Sequence, residues 1–427
     1  MIALGIVLFA VGILASVALH ELGHLLPAKR FGVHVPQYMV GFGPTLFSRR
    51  RGETEYGLKA IPLGGYVRLS GMYPPTRAGR RARVFDRLVE DARRDALADI
   101  PRGAEHRAFY RLAPWQKLIV MAGGPAMNLL LGLFLLVLAF GVVGQPRATV
   151  DLTLSSVSRC ILPSGAPPSS TCPPGAAPSP ARAAGLRAGD RIESVGRTRV
   201  DSWDAASAAI AAASGPTPIT VARDGVTRTV TVDVPRVARP DPTDPTRTVT
   251  RGFIGVQPAG SLAYDHLGPG GIASAYGQQV GGTAKVLVRF PQRLADIARL
   301  TFSNQPRSVD SPVGIVGASR FGGEVAAQQD IPPRARVSTF LGILASVNIA
   351  LAVFNLVPLL PLDGGHIAGA LWESLRRRLA RARNRPDPGF VDVARALPIA
   401  YAVTLVVVAS SALLLYADVV NPVRLFG

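Results

Sequence analysis

The residues best suited to chemistry lie in the pentapeptide HELGH at residues 20–24. Four residues of helix turn about 400°, so His20 and His24 face the same way, one turn apart. Two imidazoles so placed suit two ligands of a tetrahedral zinc ion, Zn2+. Glu21 follows the first of them. Zinc lowers the pKa of water to about 7, and a neighbouring carboxylate can take the proton. With 6 histidines in 427 residues, a chance match to HExxH is expected roughly once in several hundred such chains.

A zinc ion with two histidine ligands needs a third protein ligand. Residues 355–366 read NLVPLLPLDGGH. Two prolines there break a helix, and two glycines follow Asp363. A carboxylate at a broken helix end in apolar surroundings is costly unless it is paired or bound to metal. Asp363 is therefore the expected third ligand, giving a metal set of His20, His24 and Asp363 with Glu21 as the catalytic base. Asn355, about two turns earlier, is placed to hydrogen-bond an extended substrate or an oxyanion. His366 reads as a helix-cap or surface residue before it reads as a partner of a ligand.

The elements that position these residues are apolar. Four runs, 1–28, 115–143, 337–360 and 397–419, reach the roughly 20 residues that cross hydrocarbon. The first lacks a basic start and ends in HELGH rather than a cleavage site, so it reads as a spanning helix and not a signal peptide. The net charge of +19 raises nucleic-acid binding as a possibility. The basic residues form no face interleaved with aromatics, however; they collect in 29–113 and 376–395, beside the apolar runs. That is the positive-inside pattern, so the expected partner is a lipid bilayer and no nucleic acid. Those two loops should be cytoplasmic, and the N-terminus, 144–336 and the C-terminus outside.

The expected fold is a polytopic α-helical membrane protein of about four transmembrane helices, with membrane-associated β-hairpins and an inserted extracytoplasmic PDZ-like α+β domain. Segment 29–113 holds the hairpins and a charged insertion at 76–111. Segment 144–258 is the PDZ-like domain, with a turn at Gly189–Asp190, a strand at 192–195, a helix at 203–214 and a hairpin turning at Asp224–Gly225. Residues 235–250 read as a linker. Segment 259–336 is a surface region with an amphipathic helix over 278–302. Segment 337–368 is the third span with the LDG motif, 369–396 a basic loop and 397–419 the fourth span.

HELGH, GFGP (41–44), PLGGYV (62–67), GGPAMN (123–128), the PDZ-like segment and NLVPLLPLDGGH occur in one order. This set resembles the site-2 protease family of intramembrane zinc metalloproteases, and most closely the bacterial branch that cuts membrane-anchored anti-sigma factors. The resemblance implies that His20, His24 and Asp363 bind zinc and that Glu21 activates water. It implies that Asn355 and the PLGGYV hairpin, with Gly64, Gly65 and Tyr66, handle an unwound substrate helix. A protease must hold its chain extended, and strand addition does that. The implied substrate is a single-span membrane protein, cut second in a cascade to release a cytoplasmic fragment. The implied location is a bacterial cell membrane, with the active site toward the cytoplasmic side.

The GGPAMN glycines would let Asn128 approach a neighbouring helix closely; no role is assigned to Asn128. The chain departs from the resemblance in having one PDZ-like segment rather than a tandem pair, and in a Pro/Ser-rich insertion carrying Cys160 and Cys172. With that segment outside the cytoplasm, a disulfide between them is expected. A non-catalytic PDZ adaptor with a vestigial metal site would not need all four of His20, Glu21, His24 and Asp363. A metal transporter would need further ionisable ligands that the spans lack.

Overall fold

The structure is a computed structural model that describes residues 2–75, 86–161, 172, 176–240, 248–302, 314–327 and 331–423. Residues 76–85 of the charged insertion, most of the Pro/Ser-rich stretch and 241–247 of the linker lie outside the described residues. Chain order begins with α1 (Ile2–Arg30), β1 (Gln37–Arg51), β2 (Thr54–Arg68), α2 (Asp86–Ala98) and α3 (Pro114–Leu136), which continues through Val137–Gly144 as π turns. Next come β3 (Gln145–Val157), α4 (Pro180–Ala183), β4 (Arg191–Val195), β5 (Thr198–Arg199), α5 (Trp203–Ala212), β6 (Gly215–Arg223) and β7 (Val226–Val234). The strands β8 (Arg236–Pro240), β9 (Thr248–Gly252) and β10 (Val256–Asp265) follow. The chain closes with α6 (Pro269–Val288), α7 (Phe290–Phe302), α8 (Ile315–Ala327), α9 (Pro333–Asn355), α10 (Asp363–Ala382) and α11 (Leu397–Val420).

Two compact units result, Met1–Gln145 with His266–Gly427, and Pro146–Asp265. In the first, four helices among the described residues are long and apolar enough to cross a membrane: Ala3–Arg30, Pro114–Gly144, Pro333–Asn355 and Val393–Val420. Their outward faces stay apolar and exposed, as at Leu4, Val7, Leu8 and Val11 of α1 and Leu405–Val408 of α11. Water would penalise such faces; lipid does not. Inward, Phe9, Leu135, Leu136, Leu344, Ala345 and Ile349 form a common core of α1, α3 and α9.

Small residues set how closely these helices approach. A Cβ on Gly23 would collide with the backbone of Gly123, and the reverse holds. The α1–α3 crossing is therefore a glycine-on-glycine contact directly beside His20 and His24.

Residues 37–68 form one long antiparallel hairpin rather than several short ones. Its register runs from Gln37↔Arg68 at the base to Arg51↔Thr54 at the tip. Gly41, Gly43 and Gly64 have positive φ, which only glycine adopts cheaply. The hairpin kinks there and folds back, so Gln37–Val40 also lies against Glu55–Leu58. Tyr38 Oη donates to the Ala18 carbonyl of α1 at 2.7 Å and pins the base of the hairpin beside HELGH.

The amphipathic stretch forms two helices: α6 starts at Pro269, earlier than the apolar spacing indicates, and the chain breaks at Arg289 before α7. The third span ends at Asn355, and α10 starts afresh at Asp363. Gly364 and Gly365 permit this break, since a Cβ on either would strike the backbone of residues 356–360 crossing over the new helix start. Helix α10 then runs on to Ala382, where the sequence reading has a loop. Good helix formers and the Glu373–Arg377 pair, 2.8 Å and four residues apart, sustain it.

The second unit is a six-stranded sheet with path β10-β3-β4-β6-β7 and β5 beside β4. Its core includes Leu154, Ile192, Ile219, Val221 and Ile254. Hairpin β6–β7 turns at Asp224–Gly225, both with positive φ. Buried Asp190 takes two hydrogen bonds from Arg223, at 2.6 and 2.7 Å. Cys160 and Cys172 are joined in a disulfide.

Candidate metal centre and active-site cleft

His20 and His24 sit on α1, buried, with their Nε2 atoms 3.3 Å apart. Asp363 Oδ2, at the start of α10, lies 3.3 Å from His20 Nε2 and 3.4 Å from His24 Nε2. Two histidines four positions apart and an aspartate more than 300 positions further on thus present one atom each at the corners of a nearly equilateral triangle. A tetrahedral ion bound at about 2.0–2.1 Å needs donor separations of about 3.3–3.4 Å, so the triangle has the size of one face of a zinc site.

The chemistry of the donors agrees with the geometry. His24 Nδ1 lies 2.8 Å from the Val120 carbonyl oxygen, to which it donates. Its proton is on Nδ1, and its Nε2 lone pair is free to face the others. Asp363 Oδ2 is buried with no hydrogen-bond partner. Three converging lone pairs repel unless a cation lies among them. The first-turn position of Asp363 also sets its negative charge at the favourable end of the α10 dipole.

Glu21 packs against the hairpin. A Cβ on Gly65 would lie 3.1 Å from Glu21 Cγ and 3.2 Å from Val17 Cγ1, so the glycine lets the strand pass directly over the carboxylate. Glu21, Gly64, Gly65, Tyr66 and Asn355 all line one cleft of about 780 Å3 together with His20, His24 and Asp363. Asn355 ends α9, with Nδ2 3.5 Å from His20 Nε2. His366 lines the same cleft, so it is not the surface residue that the sequence reading favoured.

Sequence reasoning missed several contributors. The Val120 carbonyl is a backbone atom and leaves no trace in residue type. Gly124 lies inside GGPAMN, yet its closeness to both imidazoles depends on helix packing. Tyr73, just before the charged insertion, and Asp95 and Asp99 within it also line the cleft.

Comparison with known proteins identifies the family. The profile of peptidase family M50 matches residues 8–387. The chain belongs to peptidase family M50, the site-2 proteases. It is 36% identical over 452 residues to the zinc metalloprotease Rip1 of Mycobacterium tuberculosis strain H37Rv, and 34% identical over 448 residues to Rip1 of Mycolicibacterium smegmatis. Both alignments cover 100% of each chain. This M50 peptidase is thus a zinc metalloprotease of the membrane, multi-pass and built for intramembrane proteolysis.

Proposed function

We propose that His20, His24 and Asp363 hold the zinc and that Glu21 is the general base for cleavage of a single-span membrane protein. The observation that carries the reading is the triangle of Nε2, Nε2 and Oδ2 atoms, with sides of 3.3, 3.3 and 3.4 Å. Bound there, zinc supplies a Lewis acid that acidifies water and polarises a peptide carbonyl. Glu21 takes the proton of the attacking water and returns it to the leaving amine. Asn355, at the lip of the cleft, donates from Nδ2 to a substrate carbonyl or to the oxyanion that develops from it. The strand Gly64–Tyr66 holds the unwound substrate by backbone pairing, which a chain still coiled as a helix could not offer.

In this reading residues 29–113 and 376–395 face the cytoplasm and the unit Pro146–Asp265 lies outside, as the distribution of basic residues requires. The outer unit is PDZ-like: a small sheet with short helices and a hairpin, β6–β7, at its edge. It admits a substrate whose outer part a first protease has shortened, by size or by binding the new chain end. The cut then frees a cytoplasmic fragment, and the resemblance to the anti-sigma-factor branch makes a membrane-anchored anti-sigma factor the substrate class to test first.

The deciding experiment compares wild type with Glu21→Gln on a single-span substrate. The amide keeps the size of the side chain but cannot take a proton, so zinc content should be retained and cleavage lost. Equal cleavage by both proteins refutes the mechanism. Unchanged zinc affinity in Asp363→Ala refutes the third ligand.

A further inference from the structure

Asn128 is a buried polar side chain at the metal centre without an assigned task. It is 1% exposed on α3. Its Nδ2 lies 3.2 Å from His20 Nδ1, and its Oδ1 is buried with no hydrogen-bond partner. An orphaned buried acceptor costs about 1–3 kcal/mol.

His20 has the matching problem. Its Nε2 faces His24 Nε2 and Asp363 Oδ2 at 3.3 Å each, so that lone pair is committed and the ring proton belongs on Nδ1. An Nδ1–H needs an acceptor, and an amide NH2 is not one. Turning the carboxamide by about 180° exchanges its oxygen and nitrogen. Oδ1 then faces Nδ1–H, so that an acceptor rather than a second donor meets the ring proton.

His24 already has this arrangement, with Nδ1 2.8 Å from the Val120 carbonyl oxygen. Val120 and Asn128 lie on the same face of α3, about two turns apart. Gly123 and Gly124 stand between them, where α3 meets α1. One helix thus carries an acceptor for each imidazole.

We propose that Asn128 is a positioning residue for the metal: its Oδ1 accepts a hydrogen bond from His20 Nδ1–H, fixes the tautomer and ring plane, and holds Nε2 toward the ion. The proposal rests on the reading of His20 as a zinc ligand.

The test uses the full chain in detergent micelles, zinc affinity by competition with a chromophoric chelator, and the visible spectrum of the cobalt-substituted protein. Asn128→Leu removes the acceptor, and should weaken zinc binding about 10–100-fold and change the cobalt bands. Asn128→Asp keeps an acceptor at the same distance and should stay within about threefold of wild type, as in a carboxylate–histidine–zinc arrangement. Wild-type affinity and cobalt spectrum in Asn128→Leu overturn the proposal. Folded Asn128→Asp that binds as weakly as His20→Ala overturns it as well, and this arm decides the matter if the leucine variant does not fold. An unaltered affinity in His20→Ala defeats the ligand assignment itself, a failure distinct from that of Asn128.

Discussion

Gly124→Ala adds one methyl group at the most constrained point of the metal centre. An ideal Cβ on Gly124 lies 2.7 Å from His20 Nε2 and 2.7 Å from His24 Cε1, and closer still to His24 Nε2. Ordinary contacts of carbon need about 3.5 Å, so the imidazoles must retreat by roughly 1 Å. A zinc site tolerates only about 0.2 Å in its ligand distances. The triangle cannot absorb that shift without losing a ligand. We expect zinc content to fall sharply and cleavage to fall about 100-fold or more, some 2.7 kcal/mol in transition-state stabilisation. The nearest atoms are all imidazole rather than backbone, so the fold should persist. Gly281→Ala on α6 is the matched control, because no atom lies within 4 Å of its new Cβ; it should be neutral or slightly stabilising. The assay is metal analysis of purified protein beside cleavage of a single-span substrate. A Gly124→Ala enzyme with full zinc and wild-type cleavage would refute the packing argument.

Gly65→Val should separate cleft from metal. The three atoms nearest its new Cβ are Met39 O at 3.0 Å, Glu21 Cγ at 3.1 Å and Val17 Cγ1 at 3.2 Å, none on a proposed ligand, so cleavage should drop while zinc affinity holds; parallel loss of both would tell against it. Lys117 of α3 and Glu373 of α10 form a buried ion pair at 2.8 Å that ties the Asp363-bearing helix to the helix packed on HELGH. Lys117→Met leaves the Glu373 carboxylate with Arg377 and the Val391 N–H as partners, and should cost about 1–3 kcal/mol in thermal unfolding, with Lys117→Met/Glu373→Leu milder; a double variant no better than the single would count against the pair. In the second unit, burial raises the Asp190 carboxyl, but Arg223's hydrogen bonds and charge outweigh it and hold the group below its ordinary value. A depressed carboxylate stabilises fully above its unfolded value, about pH 4, and loses that contribution as pH falls through the lower folded value. Arg223→Met should therefore move acid unfolding to higher pH, followed by Trp203 fluorescence with Trp115 and Trp372 replaced by Phe; an unmoved transition would show that the pair is not what resists acid.

Much of the centre was legible because it is local. The four-residue spacing of His20 and His24 fixes their common face through helix geometry alone, and the apolar runs fix the spans through the cost of burying backbone in lipid. Asp363 was legible by chemistry, as a carboxylate that such surroundings would not tolerate without a partner. The break between α9 and α10 was legible in its prolines and glycines, while the length of α10 was not, because its basic residues suggested a loop.

Nothing local could place Asp363 Oδ2 within 3.4 Å of both imidazoles. That distance depends on how α1, α3, α9 and α10 pack, and so on the contact between Gly23 and Gly123. The folding back of hairpin 37–68 over Glu21, and the meeting of His24 with Val120 and of His20 with Asn128, likewise join segments far apart in the chain. HELGH by itself determined which atoms could bind a metal. Only the tertiary structure decided which atoms meet those imidazoles, because such contacts arise from side-chain packing across helices rather than from the period of any one of them.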